Sequence, residues 1–173
     1  NGDRLDATFD FSACDFLRQN AVAFLGGLAR LVQSRGGIVR FNWGSLQSGV
    51  ALNLARNGFR DTFGDVTPIG VGNSIPYRED STLADKANVV LYLKQLWLGR
   101  GWVNVSPTAR DLIVGQVWEI YANAFEHSGS TAGVFSCGQH FPRLNVLALT
   151  VVDFGTGIPA NVRRFVQDES CSA

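Results

Sequence analysis

Trp118-Glu119-Ile120-Tyr121-Ala122-Asn123-Ala124-Phe125-Glu126-His127-Ser128 has the spacing of a helix, and Val152-Asp153-Phe154-Gly155-Thr156-Gly157-Ile158-Pro159 that of an apolar strand running into a glycine turn. On the helix, Glu119, Asn123 and His127 are four residues apart, so they form one polar stripe that drifts by about 40° per step. Ile113, Val117, Ile120 and Ala124 make an apolar stripe beside it. A polar line at the rim of a buried face is where a site is expected.

Upstream of that helix, Ser106-Pro107 supplies a cap and a first-turn proline, which predicts a helix start there. Downstream, Thr131–His140 and Leu144–Val152 read as two strands joined across Phe141-Pro142-Arg143. Pro159 is placed to open a last helix through Val162 and Val166. Before this region, Leu83 to about Leu98 is read as a helix capped by Ser81-Thr82 and stopped by Gly99-Arg100-Gly101.

The N-terminal third has a different rhythm. Leu5, Ala7, Phe9 and Phe11 alternate with polar residues, the period of a half-buried strand. Phe16–Arg35 has helical spacing and ends at Arg35-Gly36-Gly37; Ile38–Asn42 is a short strand; Gln47–Arg56 is a helix ending at Asn57-Gly58. Strand, helix, strand, helix implies parallel pairing through a right-handed crossover. Gly26-Gly27 inside the first helix is either a site of close packing or a weak surface. From Asp61 to Asp80 the periodicity disappears among Pro68, Gly70, Gly72 and Pro76, so 67–80 is read as a linker between a unit at 1–66 and one at 81–173. Gly70-Val71-Gly72 lacks the further glycine that a dinucleotide fingerprint needs.

Composition limits the partners. The 173 residues carry 15 basic and 15 acidic side chains without a dense Lys/Arg run, which argues against nucleic acid or an anionic membrane. Cys14, Cys137 and Cys171 fit neither a disulfide framework nor a zinc site, so a reducing compartment is the simpler reading. No apolar run approaches the roughly 20 residues of a membrane helix. A soluble, cytoplasmic protein is expected. The sequence starts at Asn1 and contains no Met, as a trimmed or processed chain would.

The chemistry rests on the opening pair of phrases. An amide oxygen is a hard ligand suited to Mg²⁺, which a triphosphate needs, and Asn123 offers one. Glu119, one turn earlier, is placed to orient or deprotonate a nucleophile. Asp153 can accept a hydrogen bond from an exocyclic amine, while Gly155 and Gly157 let a flat base approach the backbone. The residues alone also permit a solvated helix face and a strand-ending turn. His140, beside Phe141-Pro142, reads as structural or exposed.

Glu119-(x)₃-Asn123-Ala124-(x)₂-His127 and Asp153-x-Gly155-x-Gly157-Ile158-Pro159 resemble the Asn box and first glycine box of the GHKL, or Bergerat-fold, ATPases, with Asn-Ala-x-x-His nearest the histidine-kinase and anti-sigma kinase branch. The resemblance spans about Ser81–Val166. It implies ATP and Mg²⁺ as cofactors, with Glu119 as base or water-orienting residue, Asn123 as metal ligand and His127 near the phosphates. It also implies Asp153 as adenine anchor, and Gly155 and Gly157 as lid hinge. Phe9–Leu17, the following long helix, Arg35-Gly36-Gly37 and Asn57-Gly58-Phe59 are similar to a STAS module, although the place of its phosphorylatable serine reads Asp15-Phe16-Leu17-Arg18-Gln19.

The fold expected is therefore α/β (α+β): a small STAS-like βαβα module followed by an incomplete Bergerat-type sandwich of helices on a mixed sheet. The function implied is that of an ATP-binding regulator in bacterial signalling, acting through Mg·ATP-dependent interaction with a protein partner or through protein kinase activity, with a homodimer left open. The second glycine box of the family is missing from the sequence, so weak or absent turnover is expected. The alternative is a non-catalytic interaction module with a degenerate nucleotide site.

Overall fold

The computed structural model describes residues 5–65, 69, 70, 72–82, 86–157, 159, 160, 162, 163, 165 and 166. The N-terminal elements follow the expected order: β1 (Ala7–Asp10), α1 (Gln19–Ser34), β2 (Val39–Asn42), α2 (Ser48–Arg56) and a short α3 (Phe59–Thr62). β1 and β2 pair in parallel, Phe9 beside Phe41. Gly58, at φ 78°, makes the left-handed turn after α2.

Three further strands, β3 (Ser74–Asp80), β4 (Val134–Phe141) and β5 (Val146–Asp153), form a second sheet in the order β3-β4-β5. Both of its pairings are antiparallel, so among the described residues the sheet is not mixed in direction. α4 (Lys86–Leu91) continues as a π-helical segment through Tyr92–Trp97, and α5 spans Pro107–His127. The class is mixed α and β, as expected. Residues 83–85, the expected first turn of the helix that Ser81-Thr82 would cap, lie outside the described residues, as does Cys171. The described residues from Pro159 onward are helical.

β3 corrects the sequence reading, since residues 74–80 were assigned to a linker. A bulge between Ile75 and Arg78 hides the strand's period. Pro76 has no N–H to give the ladder, and its carbonyl accepts the Tyr92 hydroxyl at 2.9 Å. The Tyr77 amide turns away to the Asn57 carbonyl at 2.7 Å. As a result Ile75 and Tyr77, two apart, enter opposite cores.

Those cores lie on the two faces of the second sheet. On one, Ile75, Val134, Leu147, Leu149 and Val151 meet α4, the π segment and α5 through Val89, Leu93, Val114, Trp118 and Tyr121. On the other, Tyr77, Phe135, Cys137 and Val152 meet Val22 and Ala23 of α1 and Val50 and Leu54 of α2. The long helix of the N-terminal part is thus a layer of the second sheet. Its glycines explain how: a Cβ on Gly26 would sit 2.0 Å from the Tyr77 Oη, and one on Gly27 2.3 Å from Phe154 Cε2 and 2.6 Å from Phe135 Cδ2. The close-packing reading of Gly26-Gly27 is the correct one. Arg30 reinforces the contact by an ion pair to Glu79 at 3.0 Å, and Tyr77, held protonated by burial, donates to the same carboxylate.

The buried face of α5 also differs from the expected stripe. Of that stripe Ala124 is buried and Ile113 and Val117 pack against the core, but the centre of the buried face is Val114, Trp118 and Tyr121, and Ile120 is 55% exposed. The helix is rolled by about one residue, roughly 100° at Ile120, because the large rings of Trp118 and Tyr121 gain most from burial.

Gly26→Ala should lower stability by about 1–3 kcal/mol, read as a reduced urea midpoint, because the helix cannot retreat from Tyr77 without losing the α1 layer. Burial pushes the Cys137 thiol up to about 12. In a Cys14→Ser, Cys171→Ser background, Ellman's reagent at pH 8 should label Cys137 only at the rate of unfolding; fast labelling of native protein would contradict the packing of β4.

Candidate functional site

α5 begins where its residues say it should. The Ser106 side chain accepts a hydrogen bond from the Ala109 amide at 3.2 Å, and Pro107 occupies the first turn. Its far end is tied to the turn after β5. Ser128 is buried, and its carbonyl accepts the Thr156 amide. A Cβ on Gly155 would lie 2.0 Å from the Ser128 oxygen, so a side chain there would push strand and helix apart.

Between α5 and β5 lies a cavity of about 730 Å³ lined by Ile120, Asn123, Ala124, His127, Ser128, Val151, Asp153, Thr156, Gly157 and Val162. Four of the six residues singled out in the sequence therefore share one cavity: Asn123 and His127 from the helix, Asp153 and Gly157 from the strand end. Gly155 stands behind it, as the packing point against Ser128. Glu119 is exposed and outside the lining, because it falls roughly 100° round the helix from Ile120.

The lining sets polar side chains beside an apolar wall. Asp153 Oδ1 accepts the Gly155 amide at 2.9 Å, which orients the carboxylate. Ile120, Ala124, Val151 and Val162 supply an apolar wall. The sequence reading missed these four, and also Ser128 and Thr156; Thr156, between the two glycines, was the nearest to being found. Lys and Arg are missing from the described lining.

Among the described residues no group of three or more His, Cys, Asp or Glu side chains is placed to hold a metal ion. A Mg²⁺ carried by phosphates needs only one or two protein oxygens. Asn123 fits that demand, since it faces the cavity and its side chain has no hydrogen-bond partner among the described residues. His140 stacks on Trp102 at 4.9 Å, away from the cavity, in keeping with a structural role. In the N-terminal part, Ser12 donates to Asp10, and the Asp10 carboxylate also accepts from Asn42, which holds its pKa low.

Comparison with protein-family models, with curated proteins and with solved structures finds no match. Among the described residues no helix is long and apolar enough to cross a membrane.

Ser106→Ala should destabilise α5 by about 1 kcal/mol through loss of the cap. The expected readout is faster hydrogen exchange at the amides of residues 107–110, with the Ser128 end unchanged.

Proposed function

We propose that the chain carries an ATP site of the GHKL type and belongs to a cytoplasmic bacterial signalling protein that acts on a protein partner, by Mg·ATP-dependent interaction or by phosphoryl transfer. The observation that carries this reading is the convergence of Asn123, His127, Asp153 and Gly157, from two separate sequence phrases, on one cavity. The apolar wall would take adenine, Asp153 would accept a hydrogen bond from its amine, and Asn123 would offer an oxygen to Mg²⁺ carried by the phosphates. Mg²⁺ when bound offsets phosphate charge. Glu119, outside the lining, would serve a nucleophile only with a ligand that reaches beyond the cavity, in keeping with the weak turnover expected.

Isothermal titration with Mg·ATP tests the assignment. Asp153→Asn replaces an acceptor by a mixed amide and should cost about 1–3 kcal/mol of binding. Equal affinity for wild type and variant would remove Asp153 as the adenine anchor.

The missing Lys and Arg in the described lining favour a second reading, an interaction module that keeps the fold without using nucleotide. Saturating Mg·ATP separates the two. A raised melting temperature supports the nucleotide site, since a ligand held only by the folded state stabilises it; an unchanged one supports the interaction module.

A further inference from the structure

Asp153 and Gly155 flank a residue whose side chain has nothing to do with the cavity. Strand alternation turns Phe154 to the opposite face of the sheet from Asp153. There its ring is held on three sides: by Phe24 of α1 at a centroid distance of 5.3 Å, by Phe135 of β4 at 6.2 Å, and by the bare backbone of Gly27, where an added Cβ would meet Phe154 Cε2 at 2.3 Å. The backbone of 153–156 is thereby fixed from both sides, by α1 through Phe154 and by α5 through Ser128.

We infer that Phe24 and Phe154 are positioning residues for Asp153, through which the docking of α1 sets the affinity of the nucleotide site. This rests on the nucleotide reading given above. Phe24 is 52% exposed, so its contact with Phe154 lies at the border of the α1 layer, within reach of a protein that binds the N-terminal part. The geometry makes the coupling reciprocal: whatever loosens α1 weakens nucleotide, and nucleotide tightens α1 by the same factor. The N-terminal part is then a regulator of the cavity, built into its rear wall.

A double-mutant cycle reads this directly. Mg·ATP is titrated into the wild type, Phe24→Ala, Asp153→Asn and the double variant, with Phe24→Leu as the conservative control. Phe24→Ala should raise the Kd about threefold to tenfold, as loss of an aromatic pair would if it acts in full on binding. Phe24→Leu should recover most of it. In the Asp153→Asn background the same change should alter the Kd by less than about twofold, because the group it positions is already gone. Hydrogen exchange on the wild type gives a second measure: Mg·ATP should slow the amides of residues 22–29. If wild type binds ATP but Phe24→Ala leaves the Kd unchanged, or raises it equally in both backgrounds, the positioning role is overturned while the nucleotide site stands. ATP that binds without slowing the α1 amides also overturns it. If the wild type does not bind ATP, the site itself is refuted and the coupling falls with it.

Discussion

Contact between the α1 backbone and an aromatic layer is the constraint from which the rest of the arrangement follows. A helix normally keeps its partners at the distance of its own side chains, with axes about 8–10 Å from a neighbouring helix. Gly26 and Gly27 remove that spacing on one face, so the Tyr77 hydroxyl and the rings of Phe135 and Phe154 reach the helix itself. Two interior glycines cost roughly 1 kcal/mol each in helix propensity. The aromatic burial they permit outweighs this, since a fully buried large apolar side chain contributes about 1.5–3 kcal/mol. The polar edge of the same contact, Arg30 with Glu79 and Tyr77, adds direction more than energy because the ion pair is about one-third exposed.

Much of this was legible wherever local pattern and burial agree. β1, α1, β2 and α2 alternate with the periods of their elements, and Ser106-Pro107 and Asn57-Gly58 mark ends by side-chain and backbone chemistry that tertiary packing did not override. β3 was illegible for a specific reason. Its bulge at Pro76 sends Tyr77 to the opposite core from Ile75, and the backbone groups freed there find Asn57 and Tyr92, partners far away in sequence. No window of local sequence contains that information. The roll of α5 is similar: Ile120 and Tyr121 are both apolar enough to face inward, and only the surrounding volume decides between them.

The site divides in the same way. Asn123 and His127 were legible as a polar stripe at helical spacing and Asp153 through the glycine phrase that follows it; that they line one cavity is decided by packing. Ile120, Ala124, Val151 and Val162 were not legible as cavity lining, because apolar residues in the wall of a cavity look like any other core residues. The resemblance implies a hinge role for Gly155, and the structure adds a contact that the sequence does not show, at the Ser128 carbonyl. A glycine needed for contact and one needed for motion look the same in a sequence.

The bond from Thr156 to Ser128 also gives the cleft its shape. α5 and β5 run in the same direction, Val117 and Ile120 beside Leu147–Val151, and they are tied together just beyond their ends, at Ser128 and Thr156. Ile120 and Val151 also line an apolar groove of about 390 Å³ with Trp97, Val117 and Leu147, so the opening continues towards the N-terminal end of the helix. The cavity therefore has its polar residues, Asn123, His127, Ser128, Asp153 and Thr156, near the tie, and Ile120 and Val151 towards the groove.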